Sequence, residues 1–543
     1  MASQLHICML AAENDSLPGG KVGGIGDVVR DLPSALAATG AKVTVVVPAY
    51  GVFHQLPGAQ RIATVSTPFG GREETTDVYQ LATGSSEGVQ QIALEHPLFS
   101  ACGTGNLYCN DGADRPFATD ASKFALFSTA ALSAIAQDAF GSVDVIHLHD
   151  WHAAFAAILA FYDPQYESLK YIPRVLSIHN LAMQGIRPLV DDESSWDAWF
   201  PGLQVPAESV VDPRWPNCVN PMAAAIRLST RVHTVSPTYA HEIQQANDAS
   251  RGFHGGEGLE KDLQAAAREQ RLVGILNGTE YPQKRANQLD IKTPETFLPA
   301  SKPLSRDSRW TTELKKIRDT SLSWLGETDP MLAVHYLAHQ RTLQWLENDS
   351  TPKHIVTSVG RLTDQKMAIA LHVMDDGRTA LEHMLERLAE DEGVFIFLGS
   401  GDADLEARCQ AISAANSNCL FLNRYDTNIA DALFEFGDVF FMPSSFEPCG
   451  ISQMVAMRNG QPCLVHAVGG LKDTVVDDVD GFQFIGTSPD EQALNCVSRF
   501  DDAITLHADN TVRWQEISKA ASERRFTWAA SAEQYREFLY RDA

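Results

Sequence analysis

The sequence predicts an α/β chain built from two Rossmann-like domains, and three observations carry that expectation. Short apolar runs recur, each ending in a polar or glycine-rich tip and leading into a helical pattern, which is the alternation of a doubly wound parallel sheet. The alternation occurs twice, on either side of a more polar stretch. With 543 residues, the chain exceeds what one hydrophobic core usually supports. The spacing divides it into residues 1–280, a linker or helical region at 281–350, a second domain at 351–515 and a terminal helix at 516–543.

The first half opens on the strand-like Leu5-His6-Ile7-Cys8-Met9-Leu10. Pro18-Gly19-Gly20-Lys21-Val22-Gly23-Gly24-Ile25-Gly26-Asp27 follows, and then a helical pattern through Val28, Val29, Leu32 and Leu36. Strand, glycine loop and helix in this order make an anion cradle. It is not a Walker loop, since no Lys-Ser/Thr follows at the required spacing. It is not a dinucleotide fingerprint either, because Val29 stands where the third glycine belongs. What remains is a lysine in a glycine loop, suited to a substrate phosphate. After a second strand at Lys42–Pro48, the less regular residues from Gly51 to Asp120 suggest an antiparallel excursion, with a mobile, substrate-gripping loop near Gly103–Tyr108.

Val143-Asp144-Val145-Ile146-His147-Leu148-His149-Asp150-Trp151-His152 then runs into an alanine-rich helix. The histidines invite a zinc reading, but the aspartate falls one place early for a His-x-His-x-Asp-His ligand set. On a strand His147 and His149 share one face. The stronger expectation is that Asp150, at the strand's carboxyl end, bonds a hydroxyl while Trp151 packs or stacks on a sugar ring. Arg174–Ile178 delivers His179-Asn180 in the same way, so Lys21, Asp150 and His179 are expected to converge. Further strands are expected near 230–235 and 272–278.

In the second half, Ile355–Gly360 ends in Arg361-Leu362-Thr363-Asp364-Gln365-Lys366. Two cations one turn apart past a strand tip suit a diphosphate, the arginine bidentate and the lysine as a point charge. Strands follow at 394–399, 420–423 and 439–442. The last leads into Ser445-Phe446-Glu447-Pro448-Cys449-Gly450-Ile451-Ser452 and a helix from Gln453. A carboxylate there can accept sugar hydroxyls while Gly450 lets backbone amides approach phosphate. Val468-Gly469-Gly470-Leu471 offers another glycine loop.

Composition narrows the partners. A net charge of −26, from 69 acidic and 43 basic residues, argues against nucleic acid and anionic membranes. Nine cysteines, among them Cys8, Cys102, Cys218, Cys409 and Cys496, form no CxxC pair and read as reduced thiols. No signal peptide or membrane-length run is legible, so a cytoplasmic protein is expected.

Together the motifs resemble the bacterial glycogen synthase and plant starch synthase family. Those that carry the resemblance are Lys21-Val22-Gly23-Gly24, His149-Asp150-Trp151-His152, Ile178-His179-Asn180, Thr234 to Ala240, Ile275-Leu276-Asn277-Gly278, Gly360-Arg361-Leu362 with Gln365-Lys366, Leu398 to Asp402, and Phe446-Glu447-Pro448-Cys449-Gly450. They stand in the family's order over nearly the whole chain.

The resemblance implies a retaining GT-B glucosyltransferase with its active site in the interdomain cleft. It would move glucose from ADP-glucose to the non-reducing end of an α-1,4-glucan, with no metal and no cofactor beyond the donor itself. By similarity Lys21, Gly23 and Gly24 contact the donor diphosphate, and Arg361 and Lys366 neutralise the departing ADP. Glu447 holds the glucose beside Cys449, Gly450 and Ile451, His179 lies by the transferred sugar, and Asp150 lies near the reacting face. Trp151, Asn180, Asn277 and Tyr425 complete the substrate-binding set.

The chain departs from the family pattern in places. Phe253–Gly258 is one residue short, Thr279-Glu280-Tyr281-Pro282 replaces the usual Asp-x-x-x-Trp-Asn-Pro, Gln283–Pro352 matches weakly, and Arg424-Tyr425-Asp426 replaces a glycine-tyrosine turn. UDP-glucose or a smaller acceptor is the neighbouring alternative, and a silent glucan-binding scaffold the more distant one. A phosphorylase is disfavoured for want of a lysine in a pyridoxal-phosphate context.

Overall fold

A computed structural model describes residues 4–281, 305–327, 333–348 and 350–541. The chain divides into two compact units. The first comprises 1–247, 254–278 and 526–543, and the second comprises 248–253 and 279–525.

In the first unit the strands are β1 (His6–Leu10), β2 (Lys42–Pro48), β3 (Gln60–Phe69), β4 (Arg72–Ser86), β5 (Val89–Glu95) and β6 (Val145–His149). They continue with β7 (Arg174–Ile178), β8 (Arg187–Pro188), β9 (Cys218–Val219), β10 (Arg231–Thr234) and β11 (Leu272–Gly274). One sheet runs β11-β10-β7-β6-β1-β2-β5-β4-β3, while β8 and β9 pair separately. From β11 to β5 the pairing is parallel, and β3 and β4 form the antiparallel excursion. The central strands β1, β6 and β7 are buried along their whole length, as strands covered on both faces must be. The helices Ala118–Ala136 and Asp150–Tyr162 are alanine-rich and buried almost throughout, so they pack closely over the sheet.

The second unit holds β12 (Ile355–Val359), β13 (Val394–Leu398), β14 (Cys419–Leu422), β15 (Val439–Met442), β16 (Cys463–His466) and β17 (Gly481–Phe484). All are parallel, in the order β14-β13-β12-β15-β16-β17. Counted within the unit this is the Rossmann order 3-2-1-4-5-6, with its switch point between β12 and β15. β16 and β17 are not among the expected strands, being four residues each with no alternation to mark them.

Residues 281–350 are helical in their described part, in keeping with the helical side of their expected reading: the helices Arg306–Glu327 and Ala333–Glu347 belong to the second unit, where Arg341 donates to the Cys419 carbonyl at 2.7 Å. Pro282, Lys302, Pro303 and Met331 lie outside the described residues. Two other expectations need correction. The return to the first unit begins at Phe526 rather than 516, because the helix Thr511–Glu523 stays with the second unit. There Ser531 donates to the Leu276 carbonyl at 2.7 Å and the Trp528 indole to Asp31 at 3.1 Å. Finally, Cys102 and Cys109 form a disulfide, so the expectation of reduced thiols fails for this pair. Gly103 and Gly105, at φ 106° and 83°, turn the chain so that the two Cα atoms come within 5.4 Å.

Candidate active site

In the first unit the chain leaves β1 toward β2 on one side and β6 toward β7 on the other, so the sheet's switch point lies between β1 and β6. The carboxyl ends of β1, β6 and β7 carry the glycine loop, Asp150 and His179 respectively. The glycine loop is occupied from within. Glu13, 3% exposed, accepts hydrogen bonds from the amides of Val22 at 2.8 Å and Gly23 at 2.6 Å, and from the Tyr108 hydroxyl at 2.7 Å. The Gly23 amide, expected to face phosphate, therefore faces a carboxylate, and so does that of Val22.

Lys21 donates to Asp27 at 2.6 Å, with Asp15 at 3.7 Å. Burial alone would lower its pKa, but the Asp27 hydrogen bond and the surrounding carboxylates raise it, so it stays charged. Nor is the loop near Gly103–Tyr108 built as a mobile element. The disulfide closes it, Gly105 N donates to the Tyr50 carbonyl at 2.8 Å, and buried Lys123 donates to the Leu107 carbonyl at 2.5 Å.

Asp150 begins the helix after β6 in the left-handed region, at φ 54°. Its Oδ1 accepts from the His179 amide at 2.7 Å, which joins the ends of β6 and β7 directly. Burial pushes its carboxyl up to about 8, against the lowering effect of the His179 and Asn180 amides and with the help of nearby Glu13. At neutral pH the group is therefore largely protonated and able to donate a hydrogen bond.

The His179 ring is held by His149, with Nε2 and Nδ1 2.9 Å apart, and His149 stacks on His147 at 4.5 Å. That stack places both histidines of β6 on one face, as alternation predicts. His147 is fixed in turn by Ser177 and by Tyr540, each at 2.7 Å. Burial lowers the pKa of every ring in this row, His179 to about 4, so the row is neutral and each nitrogen is either donor or acceptor.

Trp151 corrects an expectation. It is 4% exposed, meets Phe124 edge-on at 5.3 Å, and lies so close under Gly185 that a Cβ there would come within 2.2 Å of its ring. No face is left for a sugar, so the indole is packing. Asn180 accepts from the Ala182 amide at 3.0 Å, shaping the turn after β7. Asn277 is buried, with an Oδ1 that has no hydrogen-bond partner among the described residues.

In the second unit Arg361 and Lys366 follow β12, while Ser444 and Glu447 follow β15, so they flank that unit's switch point. Lys366 Nζ contacts Glu447 Oε2, and Ser444 donates to the same oxygen at 3.0 Å. Gln365 ties the two tips further, donating to the Phe446 carbonyl at 2.9 Å and accepting from the Ser445 amide at 2.8 Å. A cavity lies alongside, lined by Gly360, Arg361, Lys366, Met442, Pro443 and Ser444 among others.

Gly450, at φ 75°, lets the Gln453 side chain approach to where a Cβ would stand. Cys449 is buried beneath Gly470, Ile451 caps the helix Ser452–Arg458, and Tyr425 is 62% exposed before the Asp426 helix cap. The residues sequence reasoning missed are Glu13, Asp27 and Tyr108. Glu13 and Asp27 flank the glycine loop and were visible as acids beside it. Tyr108, 95 residues from Glu13, left no local signal.

Two doubly wound units, each with charged side chains at its switch point, define a glycosyltransferase of the GT-B class. Residues 6–265 match the starch synthase catalytic domain family, and 342–500 match the glycosyl transferases group 1 family. Glycogen synthase of Streptococcus agalactiae is 30% identical over 545 residues, covering 99% of both chains. That of Streptococcus sanguinis is 29% identical over 550 residues, covering 97% of this chain and 98% of its own. The chain belongs to the glycogen synthase family. Among solved structures, the catalytic domain of starch synthase IV from Arabidopsis thaliana, bound to ADP and acarbose, superposes with a TM-score of 0.73 at 26% identity, with 99% of each chain covered. Sucrose-phosphate synthase from Thermosynechococcus elongatus shares the fold, with a TM-score of 0.52 at 16% identity over 99% of this chain and 98% of its own. No helix among the described residues is long and apolar enough to cross a membrane.

Proposed function

We propose that the protein transfers glucose from ADP-glucose to the non-reducing end of an α-1,4-glucan, with retention at the anomeric carbon. The observation that carries this reading is the Arg361, Lys366 and Glu447 cluster at the switch point of the second unit, within a chain of the glycogen synthase family. The ADP and acarbose bound to the starch synthase IV relative support a nucleotide-diphosphate donor and an α-glucan acceptor.

In this reading the C1–O bond of glucose breaks and its electron pair passes to the β-phosphate oxygen, where Arg361 and Lys366 stabilise the charge. Such preorganised donors are worth roughly 10² to 10³ in rate each. The acceptor O4 attacks C1 from the face the phosphate leaves, and its proton passes to the departing phosphate oxygen. Glu447 accepts sugar hydroxyls, and Cys449, Gly450 and Ile451 line the donor. From the first unit, Lys21, on the loop shaped by Gly23 and Gly24, serves the diphosphate, and His179 the transferred sugar. Asp150 bonds a sugar hydroxyl near the reacting face. Asn180, Asn277 and Tyr425 complete the binding set. No metal or further cofactor enters the scheme.

The test is incorporation of labelled glucose into glycogen by purified protein, with ADP-glucose and UDP-glucose in parallel and Glu447→Ala as control. Glu447-dependent incorporation from ADP-glucose is expected. Incorporation from UDP-glucose alone would move the donor assignment, and none from either would overturn the reading.

A further inference from the structure

The glycine loop of the first unit contains its own anion, and its glycines are shaped around that anion. A Cβ at Gly23 would lie 3.3 Å from a Glu13 carboxylate oxygen, and one at Gly26 would lie 3.1 Å from Lys21 and 3.4 Å from Glu13. The loop is thus glycine-rich where Glu13 and the Lys21 stem approach it. Burying a carboxylate is costly unless it is well supplied with donors. Glu13 has three: two loop amides and the Tyr108 hydroxyl.

Tyr108 is itself held on a pinned segment. The Cys102–Cys109 bond closes that segment, the Cys109 amide donates to Asp120 at 3.1 Å, and Tyr50 bridges back to the Ala12 carbonyl, next to Glu13, at 2.7 Å. A neutral side chain could close a loop without placing negative charge beside a phosphate site. A carboxylate there does something further: it keeps the Val22 and Gly23 amides from turning to the ligand and fixes the direction in which Lys21 leaves the loop.

We propose that Glu13, oriented by Tyr108, is a positioning residue for the nucleotide-sugar donor. It holds the backbone at Val22 and Gly23 so that Lys21 and the first turn of the helix Gly24–Ala38 present to the diphosphate. The proposal rests on the reading of the protein as an ADP-glucose-dependent transferase.

The experiment uses Glu13→Gln, Tyr108→Phe and the double variant of the full chain. KM for ADP-glucose, KM for glycogen, kcat and melting temperature are measured, together with ADP affinity by calorimetry. Glu13→Gln is expected to raise the donor KM and the ADP Kd by about tenfold, with kcat changed less than about threefold and the glycogen KM unchanged, the pattern of a lost binding interaction. Tyr108→Phe is expected to act in the same direction by about three- to fivefold. The double variant should be no worse than Glu13→Gln alone, because tyrosine acts through the carboxylate.

A lower melting temperature with donor KM and ADP Kd unchanged would overturn the proposal, and so would additive effects. If Glu13→Gln does not fold, Tyr108→Phe, which removes a single hydroxyl, decides alone. A wild type that binds ADP but does not turn over ADP-glucose would overturn only the functional reading, since ADP affinities of the variants still decide the role of Glu13. A wild type that binds no ADP would overturn both.

Discussion

The carboxyl-end clusters of the two units solve the same problem in different ways. In the second unit the cluster is built from two neighbouring strand tips: Arg361 and Lys366 lie on one, Ser444 and Glu447 on the other, and the Lys366 to Glu447 contact joins them. In the first unit a lysine is again paired with a carboxylate, Lys21 with Asp27, but the loop around it is held by Glu13, by Tyr108 and by the disulfide behind it. In the proposed mechanism the second unit places charge where leaving-group charge develops. The first invests in holding a flexible backbone still. Substitutions in the second should therefore remove rate, whereas those in the first should divide between binding, protonation and stability.

The largest expected effect is on the second cluster. Arg361→Ala and Lys366→Ala should each lower kcat by roughly 10² to 10³, with melting temperature changed little for Arg361→Ala and lowered for Lys366→Ala, which deprives the buried Glu447 of a donor, as steady-state assays and thermal melts would show. An Arg361→Ala enzyme with unchanged turnover would break the contrast.

Next comes Asp150→Asn, which should lower kcat by about 10² while stabilising the protein. The sign follows from burial. The folded carboxyl titrates near 8, above its unfolded value, so the folded state keeps a proton that the unfolded state has lost. Wild-type stability therefore falls as pH rises from about 4 to about 8, by up to ~1.4 kcal/mol per pH unit, and the asparagine variant escapes that loss. Melting temperatures from pH 5 to 8 should show the gap widening with pH, and a constant gap would contradict the assignment.

Trp151→Ala should destabilise the first unit by about 3 to 5 kcal/mol through the cavity it leaves, while the donor KM of the folded protein moves less than about twofold. A large KM change without loss of stability would restore a sugar-stacking role. The smallest effect is expected from reducing Cys102–Cys109. A loop this short is constrained by about 2 kcal/mol, to be read as a lower unfolding midpoint of the first unit in dithiothreitol.

The same contrast explains how much could be read in the sequence. β1, β2, β6, β7, β12 and β15 stand as apolar runs with polar tips, and both switch-point clusters fall at those tips, so the Rossmann-like fold and residues such as Asp150, His179, Arg361 and Glu447 were legible. A strand tip marks the position of a side chain but not its surroundings. Trp151 looks like a sugar platform until Gly185 is seen to cover it. The glycine loop looks like an empty cradle until Glu13 is seen to fill part of it. The disulfide was missed because a separation of seven residues has no fixed meaning until two glycines with positive φ turn the chain. The boundary at 516 was misplaced because polarity and helical periodicity do not say which unit a helix packs on.

The most direct measurement is the anomeric configuration of the new bond. Purified protein, ADP-glucose and a maltooligosaccharide would be followed by proton NMR. The expected result is growth of the internal α-1,4 anomeric signal in step with ADP release. A β-anomeric signal, free glucose in place of chain extension, or no ADP release would contradict a retaining α-glucan synthase.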